Sequence, residues 1–234
     1  MRKITSTFLI LIIVNFTYSQ DSEISSKQLS EQEIDSIFTD KLKVQFEVNY
    51  SIYKAYEYND INGKHFLIMT ENKLECDIRK ECFNAIKAFC FDYHNGLYEL
   101  KWKLTDFILP NGNEVSEEYS ISFWTKYFEL NDYDKDGIID PIITYGTLGM
   151  NGTGDGRIKI LVYHKGKKSA IRHQNGTLDH ERNTQVDEMY YQLPNGIQNR
   201  VFKIMESISG NGLGIFPYDW QNKMNNKKLK FKEN

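Results

Sequence analysis

Residues 132–140 read DYDKDGIID, which sets carboxylates at the first, third, fifth and ninth positions of the stretch. They are Asp132, Asp134, Asp136 and Asp140, with Gly137 at the sixth position and Ile139 at the eighth. Alternate residues in a tight loop turn their side chains toward one centre, and a hard cation such as calcium takes about six to eight oxygens at about 2.4 Å. Glycine permits the sharp turn, the carbonyl of Ile138 supplies a further oxygen, and the apolar side chain after it anchors the loop to a core. Four carboxylates this close repel one another unless a cation joins them. The expected cofactor is Ca2+ rather than magnesium, because flexible carboxylates and a backbone carbonyl suit the larger ion. Extracellular sites of this kind bind on the order of 10⁻⁴–10⁻³ M and serve structure more than signalling.

The twelfth position from Asp132 is Ile143, where a helix-loop-helix calcium site has a bidentate glutamate, and the flanking stretches SFWTKYFEL and IITYG read as strands. The DxDxDGxxD pattern resembles instead the calcium loops of integrin-type FG-GAP repeats, which lie between strands. That resemblance implies Asp132, Asp134, Asp136, the Ile138 backbone and Asp140 as ligands. It covers about fifteen residues and implies the site, not a propeller fold.

A glycine-rich stretch, GTLGMNGTGDGR, follows at once. Within it Asn151, Thr153, Asp155 and Gly156 imitate half of an ion loop with too few carboxylates, a candidate second site; the alternative is a binding loop between strands. No catalytic constellation stands out. The five histidines are His65, His94, His164, His173 and His180, and RHQNGTLDHER brings His173, Asp179, His180 and Glu181 close in sequence at a spacing that fits no ligand motif. There is no GxSxG elbow, HExxH pair or Walker loop, and SGNGLG follows a helical pattern, so it reads as a helix stop. Trp102, Trp124 and Trp220 are candidates for sugar stacking, with core packing the commoner use.

The chain opens MRKITSTFLILIIVNFTYSQ, a basic pair, an apolar core and small residues before Gln20. Residues 1–19 read as a secretory signal peptide, which places the mature chain in the periplasm, at the cell surface or outside the cell. No later stretch reaches the ~20 apolar residues of a membrane helix. Loss of Arg2 and Lys3 moves the formal net charge from −3 to −5, which argues against nucleic acid as a partner. Of three cysteines, Cys76 and Cys82 flank DIRKE and could close a small disulfide loop; a Cys82–Cys90 bridge is the alternative, and Cys90 otherwise reads as a buried thiol.

These groups must be positioned by strands. KVQFEVNYSIYKAYEY and KHFLIMTE pair across NDING, and AIKAFCFDY and LYELKWKLTDF pair across HNG. YSISFWTKYFEL, PIITYG, RIKILVYH and KSAIRH follow, the last two joined by the turn Lys165-Gly166-Lys167. Short turns between runs mark an antiparallel meander or sandwich-like sheet, a mainly β (α+β) class. The 15 tyrosines and 14 phenylalanines suit half-buried sheet faces. Near the end Ile197, Val201, Ile204, Met205 and Ile208 form one helical stripe, predicting a C-terminal helix on the sheet. The expected organisation is a polar leader at 20–40, one mostly-β domain at 41–220, and a solvated basic tail at 221–234.

The order of elements over residues ~90–175 resembles a family of exported proteins of Gram-negative bacteria catalogued under surface polysaccharide biosynthesis. The likeness rests on the hairpin ending in Trp102-Lys103, the DxDxDG turn, and Lys159, Ile160, Tyr163, Gly166, Lys168, Ala170 and Arg172 in the strand pair after it. The chain departs from it in a longer glycine loop without cysteine. The resemblance implies an envelope role and brings no catalytic residues. The expectation is therefore a calcium-stabilised envelope protein that binds or assembles surface glycan, alone or with another envelope protein. The rivals are a secreted hydrolase or glycan-modifying enzyme built from the glycine loop and the 173–188 segment, and a purely structural envelope protein.

Overall fold

The computed structural model describes residues 24–74, 82–108, 118–149 and 151–233, and the fold is mainly β with antiparallel sheets. The first sheet comes from the first half of the chain: β1 (Ser25–Gln28), β2 (Ser51–Asp60), β3 (Gly63–Leu74), β4 (Cys82–His94) and β5 (Leu97–Phe107), in that spatial order. Two short helices, α1 (Glu31–Ile37) and α2 (Asp40–Gln45), lie between β1 and β2. The second sheet holds β6 (Glu118–Phe123), β7 (Glu129–Asn131), β8 (Asp140–Gly149), β9 (Arg157–His164), β10 (Lys167–Gln174) and β11 (Asn183–Val186). Helices α3 (Asn195–Gly210) and α4 (Trp220–Asn225) follow, and β12 (Lys230–Lys232) returns to the edge beside β11.

Alternation along the strands explains how the layers stack. In β4, Ile86, Ala88 and Cys90 enter the core shared by the two sheets, while Phe89 and Phe91 face α1 and α2. In β9, Leu161 and Tyr163 enter the same shared core, while Ile158, Ile160 and Val162 face α3 and α4. Inner strands are thus buried on both faces, which is why they read as near-continuous apolar runs. The result is helices, sheet, sheet, helices, with three cores between four layers.

The turn predicted at Asn95-Gly96 occurs where expected, and the one predicted at Lys165-Gly166-Lys167 closes in two residues, with Lys167 opening β10. Asn95 and Gly96 have φ of 51° and 84°, and Lys165 and Gly166 have 48° and 74°, the left-handed pair that matches strand twist in a tight hairpin. The predicted C-terminal helix is α3, and Ile197, Val201, Ile204, Met205 and Ile208 are all buried. Each such side chain stabilises the fold by roughly 1.5–3 kcal/mol on area grounds.

Several expectations need correction. The described part of the polar leader is structural: β1 pairs with β2, and Leu29 and Phe38 are 3% and 1% exposed. The stretch KVQF, read as strand, lies in or next to α2, because the Thr39 cap and the partial burial of Leu42 and Phe46 one turn apart outweigh its alternation. Among the described residues there are four α-helices, the predicted C-terminal one being α3. The stretch read as a basic tail is folded, with Met224 and Phe231 buried and β12 paired to β11. Its lysines stay in water while its few apolar residues anchor it. Cys82 is disulfide-bonded, whereas Cys90 is a free thiol whose burial pushes its pKa up to about 12. A Cys82–Cys90 bridge is thereby excluded; Cys76 and the signal segment lie outside the described residues. Among the described residues no helix is long and apolar enough to cross a membrane.

Candidate metal loop and the clefts around it

The aspartate loop connects β7 to β8, and their pairing of Asn131 with Asp140 closes it at its base. Asp132 organises it from within. Its Oδ1 accepts the N–H groups of Lys135 at 2.7 Å and Asp136 at 3.2 Å, and its Oδ2 accepts that of Gly137 at 2.9 Å. Asp136 Oδ1 accepts the Ile138 N–H at 2.9 Å. Gly137 is required twice over: φ is +87°, and a Cβ there would lie 2.6 Å from Ile61 Cγ2.

Asp132, Asp134 and Asp136 converge, each offering an oxygen within 4.8 Å of the others. Oxygens on opposite sides of a calcium ion at about 2.4 Å are about 4.8 Å apart, so the triple fits one cation. Asp134 Oδ1 and Asp140 Oδ2 are buried atoms with no hydrogen-bond partner. Asp140 is 0% exposed and lies outside the triple; its Oδ1 meets His164 Nδ1 at 2.8 Å. Burial pushes its carboxyl up to about 6, with the charge of Asp134 adding to the shift and His164 opposing it. Asp134 is likewise pushed up by burial, then by Asp136 and Asp132. Asp136 is held below the usual carboxylate range, against its burial, by the Lys165 ammonium 2.7 Å from Oδ2 and by the Ile138 N–H. Of the predicted ligands, three carboxylates converge, Asp140 stands beside them with a free oxygen, and Ile138 sits in the loop through its N–H.

Both sheets and the α3 layer touch this loop or its flanks. From the first sheet, Ile61 N–H donates to the Gly137 carbonyl at 3.0 Å, and Asp60 Oδ2 accepts the Ile139 N–H at 3.2 Å. From the helical layer, Gly196 at the start of α3 packs so closely that a Cβ there would meet the Tyr133 carbonyl at 2.0 Å. Arg200 of α3 is ion-paired with Glu129 of β7, which Tyr133 also hydrogen-bonds. From the neighbouring hairpin come His164 and Lys165.

Asp60 also belongs to a buried Asp–His–Asp array that sequence inspection did not assemble. His65, fully buried, places Nδ1 2.6 Å from Asp92 and Nε2 3.0 Å from Asp60. Both ring nitrogens are taken by carboxylates, so the imidazole has no free nitrogen for a metal or substrate. Burial raises the Asp60 pKa, but His65 and the N–H groups of Asn62 and Ile139 outweigh it and hold the group below its usual value. The array holds the β2–β3 turn that grips the loop.

Two clefts flank these elements. A cleft of about 390 Å³ lies between the glycine loop and residues 174–181. In it Asp155 Oδ1 accepts the Thr177 hydroxyl at 2.8 Å, and Oδ2 accepts the Asn151 N–H at 2.9 Å and side-chain amide at 2.7 Å. Asp155 thus closes its own turn, and Asn151, Thr153 and Asp155 bring together no second set of carboxylates. Asp179 pairs with Arg182 and Asp187 with Arg172, and neither these nor His180 and Glu188 line that cleft. His173 is core, bonded to Thr184 and Asn175. The second cleft, about 490 Å³, opens between the two sheets beside the aspartate loop and is lined by Trp102, Tyr163 and Lys165 among others. Among the described residues no other group of three histidine, cysteine or carboxylate ligands converges. Comparisons with protein-family models, curated proteins and solved structures find no significant match.

Proposed function

We propose that this chain is an exported binding or assembly protein of the cell envelope, linked to surface glycan, whose 132–140 loop holds a calcium ion that fastens its layers together. Asp132, Asp134, Asp136, Asp140 and the Ile138 carbonyl would supply the ligands. The observation that carries the reading is the convergence of three carboxylates to a calcium-sized separation, with buried unpartnered oxygens on Asp134 and Asp140 beside them. Unpaired buried oxygens cost free energy that a cation would recover. The role is structural rather than catalytic, because the loop ties down β2–β3, α3 and β9–β10 and the described histidines are bonded within the fold or lie away from the loop's centre. The envelope and glycan assignment is supported by the signal-like leader and by the resemblance over residues ~90–175.

The test compares thermal unfolding of the purified protein in about 10 mM calcium and in chelator, with calorimetric titration of the ion. At a dissociation constant of about 10⁻⁴ M the gain is about 2.7 kcal/mol, or about 5–10 °C in Tm for a domain of this size. An unchanged midpoint together with a flat titration would remove the calcium site.

A further inference from the structure

We infer that the inter-sheet cleft binds a saccharide bearing a carboxylate, and that Lys165 makes this binding depend on the cation in the loop. The inference rests on the calcium reading and extends it to a ligand.

The cleft is walled by both sheets and by the loop itself: Trp102 and Asp92 from the first sheet, Tyr163 and Lys165 from the second, Ile138 and Pro141 from the loop side. Trp102 and Tyr163 stack with ring centroids 3.7 Å apart and planes within 11°. The Tyr163 hydroxyl is buried, with the residue 4% exposed, and has no hydrogen-bond partner. At about 490 Å³ the cleft lies in the size range of small-molecule sites, roughly 300–1,000 Å³.

Charge selects the ligand. Asp92 is already paired, with Lys101 at 3.3 Å and His65 at 2.6 Å. Lys165 lines the cleft yet places its ammonium 2.7 Å from Asp136 Oδ2, on one of the three converging carboxylates. A divalent ion drawing on Asp136 repels a second cation at the same carboxylate, so loading the loop releases Lys165. Its backbone is held by the tight turn at Lys165-Gly166, and its flexible stem leaves the ammonium free to serve the cleft. The loaded protein then presents one uncompensated positive charge beside aromatic and apolar surface. A sugar acid matches both: a carboxylate for Lys165 and a C–H face for Trp102 and Ile138.

The probe is glucuronate, titrated into the purified protein in calcium and in chelator, with glucose and inorganic phosphate as controls. Glucuronate should bind at least about five-fold more tightly in calcium, within the usual range of coupling between sites, and both controls should bind more weakly. Lys165→Met should abolish that dependence while keeping the calcium-induced rise in Tm. Asp136→Asn frees Lys165 without any ion, so this variant should bind glucuronate in chelator. Equal glucuronate affinity with and without calcium overturns the coupling, and phosphate binding as tightly as glucuronate overturns the saccharide. Failure of Asp136→Asn to bind glucuronate overturns the cleft assignment and leaves the calcium reading standing. A calcium-independent Tm with binding by Asp136→Asn retains the cleft and overturns the ion.

Discussion

The carboxylate of Asp60, at the end of β2, accepts the backbone N–H of Ile139 at 3.2 Å, joining positions 79 apart and opposite sheets of the sandwich. Asp60 is 1% exposed and also bonds His65. Asp60→Ala leaves His65 Nε2 and the Ile139 N–H without partners, and leaving buried hydrogen-bonding groups unsatisfied costs about 1–3 kcal/mol each. Urea unfolding should show that loss, and Asp60→Asn should recover part of it. A loss below about 1 kcal/mol would mean that the array does not hold the sheets together.

Asp134 is pushed toward its neutral form by burial and by its acidic neighbours. Asp134→Asn should therefore raise stability in chelator, by up to about 1 kcal/mol, since it removes a like charge from the cluster. In calcium the same variant should fall below the wild type, because a ligand is missing. This crossing of the two unfolding curves separates a metal site from an acidic turn, which would gain from the substitution in both buffers.

His173 is 2% exposed, and its burial lowers its pKa from 6.5 to about 4. The unfolded chain takes up this proton as pH falls through about 6.5, while the folded chain stays neutral until about 4. Stability is thus full above the upper value and falls across that window, by about 3 kcal/mol for this one group. His173→Gln should flatten the pH dependence of unfolding between these limits by close to one proton. An unaltered slope would place the proton uptake elsewhere.

Phe231 in β12 is 7% exposed and packs with α3 and α4 against the second sheet. Phe231→Ala should cost about 3–5 kcal/mol, measured by denaturant unfolding. A solvated tail would tolerate the change with less than about 0.5 kcal/mol.

The parts of this fold that sequence made legible are those set by neighbours along the chain. Asn95-Gly96 and Lys165-Gly166 name their own turns, and the stripe from Ile197 to Ile208 names its own helix. The aspartates of the loop were legible for the same reason, since Gly137 and the alternating carboxylates lie within nine residues. The grip on that loop was not, because Asp60, Ile61, Gly196 and Lys165 reach it only after both sheets have packed. Helix α1 carried a local signal in the reciprocal capping box of Ser30 and Glu33, within a stretch whose polar composition reads as a leader, while strand-like alternation from Lys43 obscured α2. The C-terminal strand had too few apolar residues to announce itself, and Phe231 is buried only through partners from distant segments.

Each sheet is drawn from one uninterrupted stretch of chain, β1 to β5 and then β6 to β12. The halves can therefore zip up separately, and the junction gripped by Asp60 and Ile61 closes only when they meet. An ion bound at that junction acts as a latch fastened last, absent from the barrier to assembly and present in the barrier to coming apart. The signature expected of calcium in the proposed site is kinetic: added calcium should slow unfolding and leave the folding rate unchanged, as stopped-flow measurements with and without chelator would show.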